Sequence, residues 1–148
     1  MTTSRLRPIV DRLKALAHPV RLRILAMLEE GELCVCEITA VVGLAPSTVS
    51  EHLSELRRSG IVLERKEGRW VHYSLCRDAE VRKLVRALLP QLDGDAQVAA
   101  DRDRVALARA QGREALCRAQ KIKGRRGIEL SLKGAARTQV RRTAVKRA

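Results

Sequence analysis

Residues 43–75 read GLAPSTVSEHLSELRRSGIVLERKEGRWVHYSL, and the spacing of their apolar positions changes halfway. From Pro46 to Gly60, Val49, Leu53 and Leu56 recur at helical spacing, with Pro46 suited to open a helix and Gly60 to close it. From Ile61 two short runs follow, 61–67 and 69–75, joined at Glu67-Gly68. Their β-branched and aromatic content and the glycine at the junction predict two strands and a hairpin turn.

Upstream, residues 6–17 place Leu6, Ile9, Val10, Leu13 and Leu16 on one face of a first helix, which His18-Pro19 breaks. Pro19 opens a second helix with Val20, Ile24, Leu25 and Leu28 as its buried stripe and Gly31 as its stop. A short third helix is expected at about 34–41, ended by Gly43, with Leu44-Ala45 as a tight turn before Pro46. Downstream, Asp78 is placed to cap a fifth helix with Val81, Leu84, Val85 and Leu88 inward, ended by Pro90 and Asp93-Gly94. The order α-α-α-α-β-β-α predicts a mainly α (α+β) fold, a winged helix-turn-helix, over residues 1–94. Residues 95–118 are expected to add one amphipathic helix, and 119–148 a basic tail that is disordered in isolation.

Composition bounds the function. Hydrophobic residues are 45% of the 148, enough for a core, yet Trp70 and Tyr73 are its only large aromatics, so Leu, Val, Ile and Ala must fill it. The net charge of +13 is unevenly placed: residues 1–98 carry +2 and residues 99–148 carry +11. Basicity therefore argues for nucleic acid only through the tail, where counterion release would add nonspecific affinity. Neither a signal segment nor an apolar run long enough to cross a membrane is visible, so a cytoplasmic protein without membrane partners is expected.

The DNA-reading expectation comes from pattern. The helix from Pro46 presents Ser47, Thr48 and Ser50 in its first turn, where short hydroxyls approach base edges and free N–H groups meet phosphate. Glu51 and His52 join them on the outward face, and Arg57 and Arg58 lie at the far end, within reach of the backbone. Arg65, Lys66 and Arg69 surround the hairpin tip as a cationic wing. Any one of these residues is ordinary on a surface; their arrangement carries the reading. His18 and His72 are expected to be structural. No Ser/His/Asp arrangement, phosphate-binding glycine loop or paired carboxylate supports catalysis, so an enzyme is not expected.

Four cysteines remain: Cys34, Cys36, Cys76 and Cys117, expected as thiols in a reducing compartment. Cys34 and Cys36 begin the third helix, where the helix N-terminus favours thiolate. Two residues apart on an ideal helix, they point about 200° apart, so gripping one ion requires distortion of the first turn. Two thiolates suit soft species such as arsenite, antimonite, Cd or Pb.

Together, LAHPVRLRIL, ELCVCEI and the 43–75 stretch resemble the ArsR/SmtB family of metal-responsive repressors, from about Leu6 to Leu89. The resemblance implies a homodimer built on the first and fifth helices. Its two recognition helices would read a pseudo-palindromic operator in double-stranded DNA, and ligand binding would release it. In that family C-V-C at the third helix marks arsenite/antimonite sensors, and Cd/Pb sensors as well. Here Thr39 stands where many arsenite members have a third Cys, no Cys precedes Cys34, and residues 78–92 hold no His for a fifth-helix Zn site. Cys34 and Cys36 are thus the expected ligands for arsenite or antimonite, with Cys117 or Cys76 as third donor and no organic cofactor. Cd or Pb is an alternative inducer, and a thiol redox sensor oxidising at Cys34 and Cys36 is the runner-up mechanism. A C-x-C thiol oxidoreductase would need the pair after a strand of an α/β fold, and only a hairpin is on offer.

Overall fold

The computed structural model describes residues 4–121, so the basic tail expected from 119 onward falls almost wholly outside the described residues. Helix α1 (Leu6–Leu16) is followed at once by α2 (Pro19–Leu28). The boundary is chemical: Pro19 cannot continue α1, and His18 Nδ1 accepts from Val20 N–H at 3.1 Å, capping α2. A two-residue strand β1 (Leu33–Cys34) leads into α3 (Val35–Val42), which Gly43 terminates in the left-handed region at φ +72°. Helix α4 (Pro46–Arg58) then presents Val49, Leu53 and Leu56, all fully buried, to the core.

Strands β2 (Val62–Glu67) and β3 (Trp70–Leu75) form the predicted hairpin. Glu67 pairs with Trp70, so the two-residue loop is Gly68-Arg69, with Gly68 at φ +58°. The sheet has three strands, ordered β1-β3-β2, because Leu33 and Cys34 pair with Tyr73 and His72. Sequence reading missed β1: two residues carry no alternation to detect. Asp78 caps α5 (Ala79–Leu88) as expected, its Oδ1 accepting from Glu80 and Val81 N–H, and residues Leu89–Leu92 tighten into a 3₁₀ turn.

Among the described residues after 94 there are two helices, not one. Helix α6 (Ala96–Gln111) is capped by Asp95 and stops at Gly112 (φ +80°), after which residues 113–121 form α7. Val98, Val105 and Ala108 of α6 and Leu116 of α7 join the same buried cluster as Ile24, Ile38 and Leu53. A bidentate ion pair fixes this docking: Arg23 of α2 donates to both carboxylate oxygens of Asp101 at 2.7 and 2.9 Å. Its carboxylate is 2% exposed.

The apolar stripe of α1 is split. Leu16 is buried, but Leu6, Ile9 and Leu13 are 72%, 48% and 52% exposed. Among the described residues nothing covers them, which leaves an apolar helix face exposed.

Candidate nucleic-acid interface and thiol site

Helix α4 stands on its three buried residues, and that anchoring turns Ser47, Ser50 and Glu51 out to solvent, with Thr48 half-buried beside them. Pro46 at the first position and Ala45 as N-cap leave the first-turn N–H groups without a side-chain cap. Such a terminus suits a phosphate. His52 lies half-buried, its ring 4.4 Å from that of His18. Burial, then the nearby His18 and Arg21, hold the His52 pKa below the usual imidazole value. The cap residue of α2 thus packs against α4.

The wing is less free than its sequence suggests. Arg57 lies 3.6 Å from Glu64, whose carboxylate also accepts from the Tyr73 hydroxyl at 2.9 Å. Burial, followed by that hydrogen bond, pushes the Tyr73 pKa up to about 12. Arg65 is paired with Glu32 at 2.5 Å and Glu67 at 3.3 Å, which raises its own pKa and lowers that of Glu32. Arg69 stacks on Trp70 with 4.8 Å to the ring centroid and reaches Glu114 of α7 at 3.6 Å. Only Lys66 among these three hairpin-tip cations has no acidic partner among the described residues. Sequence reading found the cations but not their pairing; Glu64 and Glu67 lie on the hairpin itself, whereas Glu32 and Glu114 come from distant segments.

The cysteines separate. Cys34 is 1% exposed and forms the N-cap of α3 in a capping box, with the Glu37 carboxylate accepting from Cys34 N–H at 2.8 Å. Its pKa is raised, chiefly by burial and also by the Glu37 charge, despite help for the thiolate from the Glu37 and Cys36 N–H groups. The expected activation by the helix terminus therefore loses at Cys34. Cys36, half-buried in the first turn, is bonded to Cys117 of α7, with Cα atoms 5.6 Å apart. Four free thiols were expected; packing of α6 and α7 on α3 instead brings two of them into bonding contact. Gln120 Nε2 donates to Cys36 O at 2.9 Å and tightens the junction. Cys76 is free and lines a separate cavity of about 440 Å³ between α2, β3 and α5. Thr39, one turn beyond Cys36, is fully buried with its hydroxyl unpartnered.

Among the described residues no three His, Cys, Asp or Glu side chains gather into a metal site. The fit for a soft guest is therefore a two-sulfur one, at Cys36 and Cys117. Once reduced to a dithiol, the pair suits trivalent arsenic, which would complete its coordination with one further donor.

A helix-turn-helix of α3 and α4 followed by a β2–β3 wing defines a winged helix-turn-helix protein. The family described as "Bacterial regulatory protein, arsR family" matches residues 18–63. HlyU from Vibrio cholerae shares the fold at a TM-score of 0.55 and 38% identity, over 61% of this chain and 97% of that one. The chain belongs to the ArsR family. A curated relative, "Arsenic resistance transcriptional regulator ArsR1" of Pseudomonas putida, is 45% identical over 83 residues, 55% of this chain and 62% of that protein. The match thus spans under two thirds of that relative's length. A solution structure from Mycobacterium bovis, described as a homodimeric winged helix-turn-helix DNA-binding domain, matches at 29% identity and a TM-score of 0.55. That match covers 65% of this chain and 92% of the other.

Proposed function

We propose that this chain is a cytoplasmic transcriptional repressor that binds a pseudo-palindromic operator as a homodimer and is released by trivalent arsenic or antimony. The observation that carries the proposal is the meeting of Cys36 with Cys117 at the entrance of α3, the helix that leads directly into the outward-facing α4. Ser47, Thr48, Ser50, Glu51 and His52 read the major groove, with Arg57 on the backbone and Arg65, Lys66 and Arg69 on the wing. The exposed Leu6, Ile9 and Leu13 support dimerisation through α1, and the relative described as homodimeric supports a dimer as such.

The inducer is held first by Cys36 and Cys117, with two thiols and one As(OH)₃ giving two As–S bonds and two waters. Cys34 is the third sulfur, reached once its capping box opens, its thiol displacing the last As–OH as a third water; that opening disturbs the start of α3 and so the seating of α4. Cd or Pb is the alternative guest, and is less well served by two sulfurs. A second reading is favoured by the Cys36–Cys117 bond itself: oxidation of that pair, without any metalloid, as the inducing event.

The test is operator-bound, fully reduced protein challenged separately with arsenite, antimonite, Cd, Pb, Zn and peroxide, read by fluorescence anisotropy. Arsenite and antimonite should release wild-type protein at the lowest concentrations. Cys36→Ser should bind operator normally and ignore arsenite, whereas Cys34→Ser should respond weakly. Normal release of Cys36→Ser by arsenite would remove the site; release by peroxide alone would leave the second reading standing.

A further inference from the structure

Helix α7 holds the thiol junction with one end and the wing with the other. At residues 116–120, Cys117 is bonded to Cys36, Gln120 donates to Cys36 O, and Leu116 is buried in the core. At its start, Arg113 lies over the Trp70 ring at 5.1 Å, 3.3 Å from His72 Nε2 and 3.9 Å from Glu67. Its neighbour Glu114 faces Arg69 at 3.6 Å. The acids that hold Arg65 and Arg57, namely Glu32, Glu67 and Glu64, lie in or beside the sheet and stay whatever α7 does. Arg69 differs: its acidic partner arrives on the helix that carries Cys117.

We propose that α7 is a clasp on the wing, with Arg113 and Glu114 as its positioning residues and the Cys36–Cys117 junction as its latch. The proposal rests on the operator-binding reading above. With the latch closed, Glu114 is held on Arg69, and that cation is withheld from a DNA phosphate. With the latch open, α7 keeps only noncovalent contacts, and phosphate competes successfully for Arg69. Peroxide closes the latch in two balanced steps. The Cys36 thiol ionises and its thiolate takes an oxygen from peroxide to become a sulfenic acid; the hydroxide that leaves takes up the thiol's proton and departs as water. The Cys117 thiolate then attacks that sulfur, forming the S–S bond as the S–O bond breaks, and the hydroxide expelled takes up the Cys117 thiol proton to leave as a second water. An arsenic atom bridging the same sulfurs closes it equally.

The magnitude follows from counterion release. Each phosphate contact contributes about 0.9 to the slope of log affinity against log salt, so losing Arg69 from both subunits removes about 1.8. At ~0.15 M salt that corresponds to an affinity loss on the order of 30-fold.

The experiment uses the full chain, fully reduced or oxidised with hydrogen peroxide, on a duplex the protein itself has selected from a random pool. Affinity is measured by anisotropy across a salt series. Wild type should lose affinity on oxidation with a shallower slope, and dithiothreitol should restore both. Glu114→Gln and Arg113→Ala should match reduced wild type and form the disulfide fully by intact mass, yet show less than about a threefold loss and no slope change on oxidation. If both variants respond to oxidation as wild type does, the clasp is wrong while the repressor reading stands. If reduced wild type selects no duplex, the reading beneath the clasp falls as well.

Discussion

Removing the Asp101 carboxylate should unfasten the C-terminal helices from the DNA-binding core. In Asp101→Ala the Arg23 guanidinium, 18% exposed, loses both hydrogen bonds, and Gln97 loses its 3.0 Å contact to the same carboxylate. Breaking a buried pair from one side costs about 3–5 kcal/mol, and the partial exposure of Arg23 puts this case near ~3. Alanine recovers roughly 0.6 kcal/mol of helix propensity, leaving a net loss of about 2.4 kcal/mol. With a urea slope of ~2 kcal/mol/M, the unfolding midpoint of reduced protein should fall by about 1.2 M. The reduced state matters, because the Cys36–Cys117 bond would otherwise hold α7 in place. Arg23→Met combined with Asp101→Leu should recover most of the loss, since it removes both charges together. A midpoint shift below about 0.4 M for Asp101→Ala, or a double variant as unstable as the sum of its singles, would show that α6 is not anchored by this pair.

Three further outcomes are expected. Thr39→Val replaces an unpartnered buried hydroxyl with a methyl of similar shape and should raise stability by about 1 kcal/mol in urea unfolding; a loss would mean that the hydroxyl has a partner. His52 has a lowered folded pKa, so the unfolded chain binds its proton more readily and stability falls as pH drops through about 6.5 towards the folded value, with no contribution above. His52→Asn should flatten that part of the melting-temperature profile, and an unchanged profile would assign the slope to other groups. Ile9→Glu, on the exposed face of α1, should yield a monomer by sedimentation and weaken operator binding; a stable dimer would place the subunit interface elsewhere.

Most of the fold was legible because local signals agreed with one another. Pro19, Pro46, Asp78, Gly43 and Gly60 punctuate the chain where the helices begin and end, and Val49, Leu53 and Leu56 are buried as their spacing required. What stayed hidden was non-local. Strand β1 exists because Leu33 and Cys34 lie beside Tyr73 and His72, and no two-residue pattern announces that. Gly112 offered a sign that the last helix would break, but nothing near it told that α7 would return to the wing. In the candidate site, the C-x-C pair was conspicuous and its helical geometry already set the two sulfurs on opposite sides. The meeting of Cys36 with Cys117 spans 81 residues and follows from packing, through Val98, Val105, Ala108 and the Arg23–Asp101 pair, not from spacing. Trp70 was counted only as a rare aromatic, though Arg69 and Arg113 both stack on it.

Thiol mapping during release tests the proposed control of DNA binding most directly. Reduced protein on its selected duplex would be titrated with arsenite while anisotropy is followed, and samples alkylated at each step would be resolved by peptide mass. Protection of Cys36 and Cys117 should rise in step with release, with Cys76 remaining reactive throughout. Full release with Cys36 and Cys117 still open to alkylation would contradict the account.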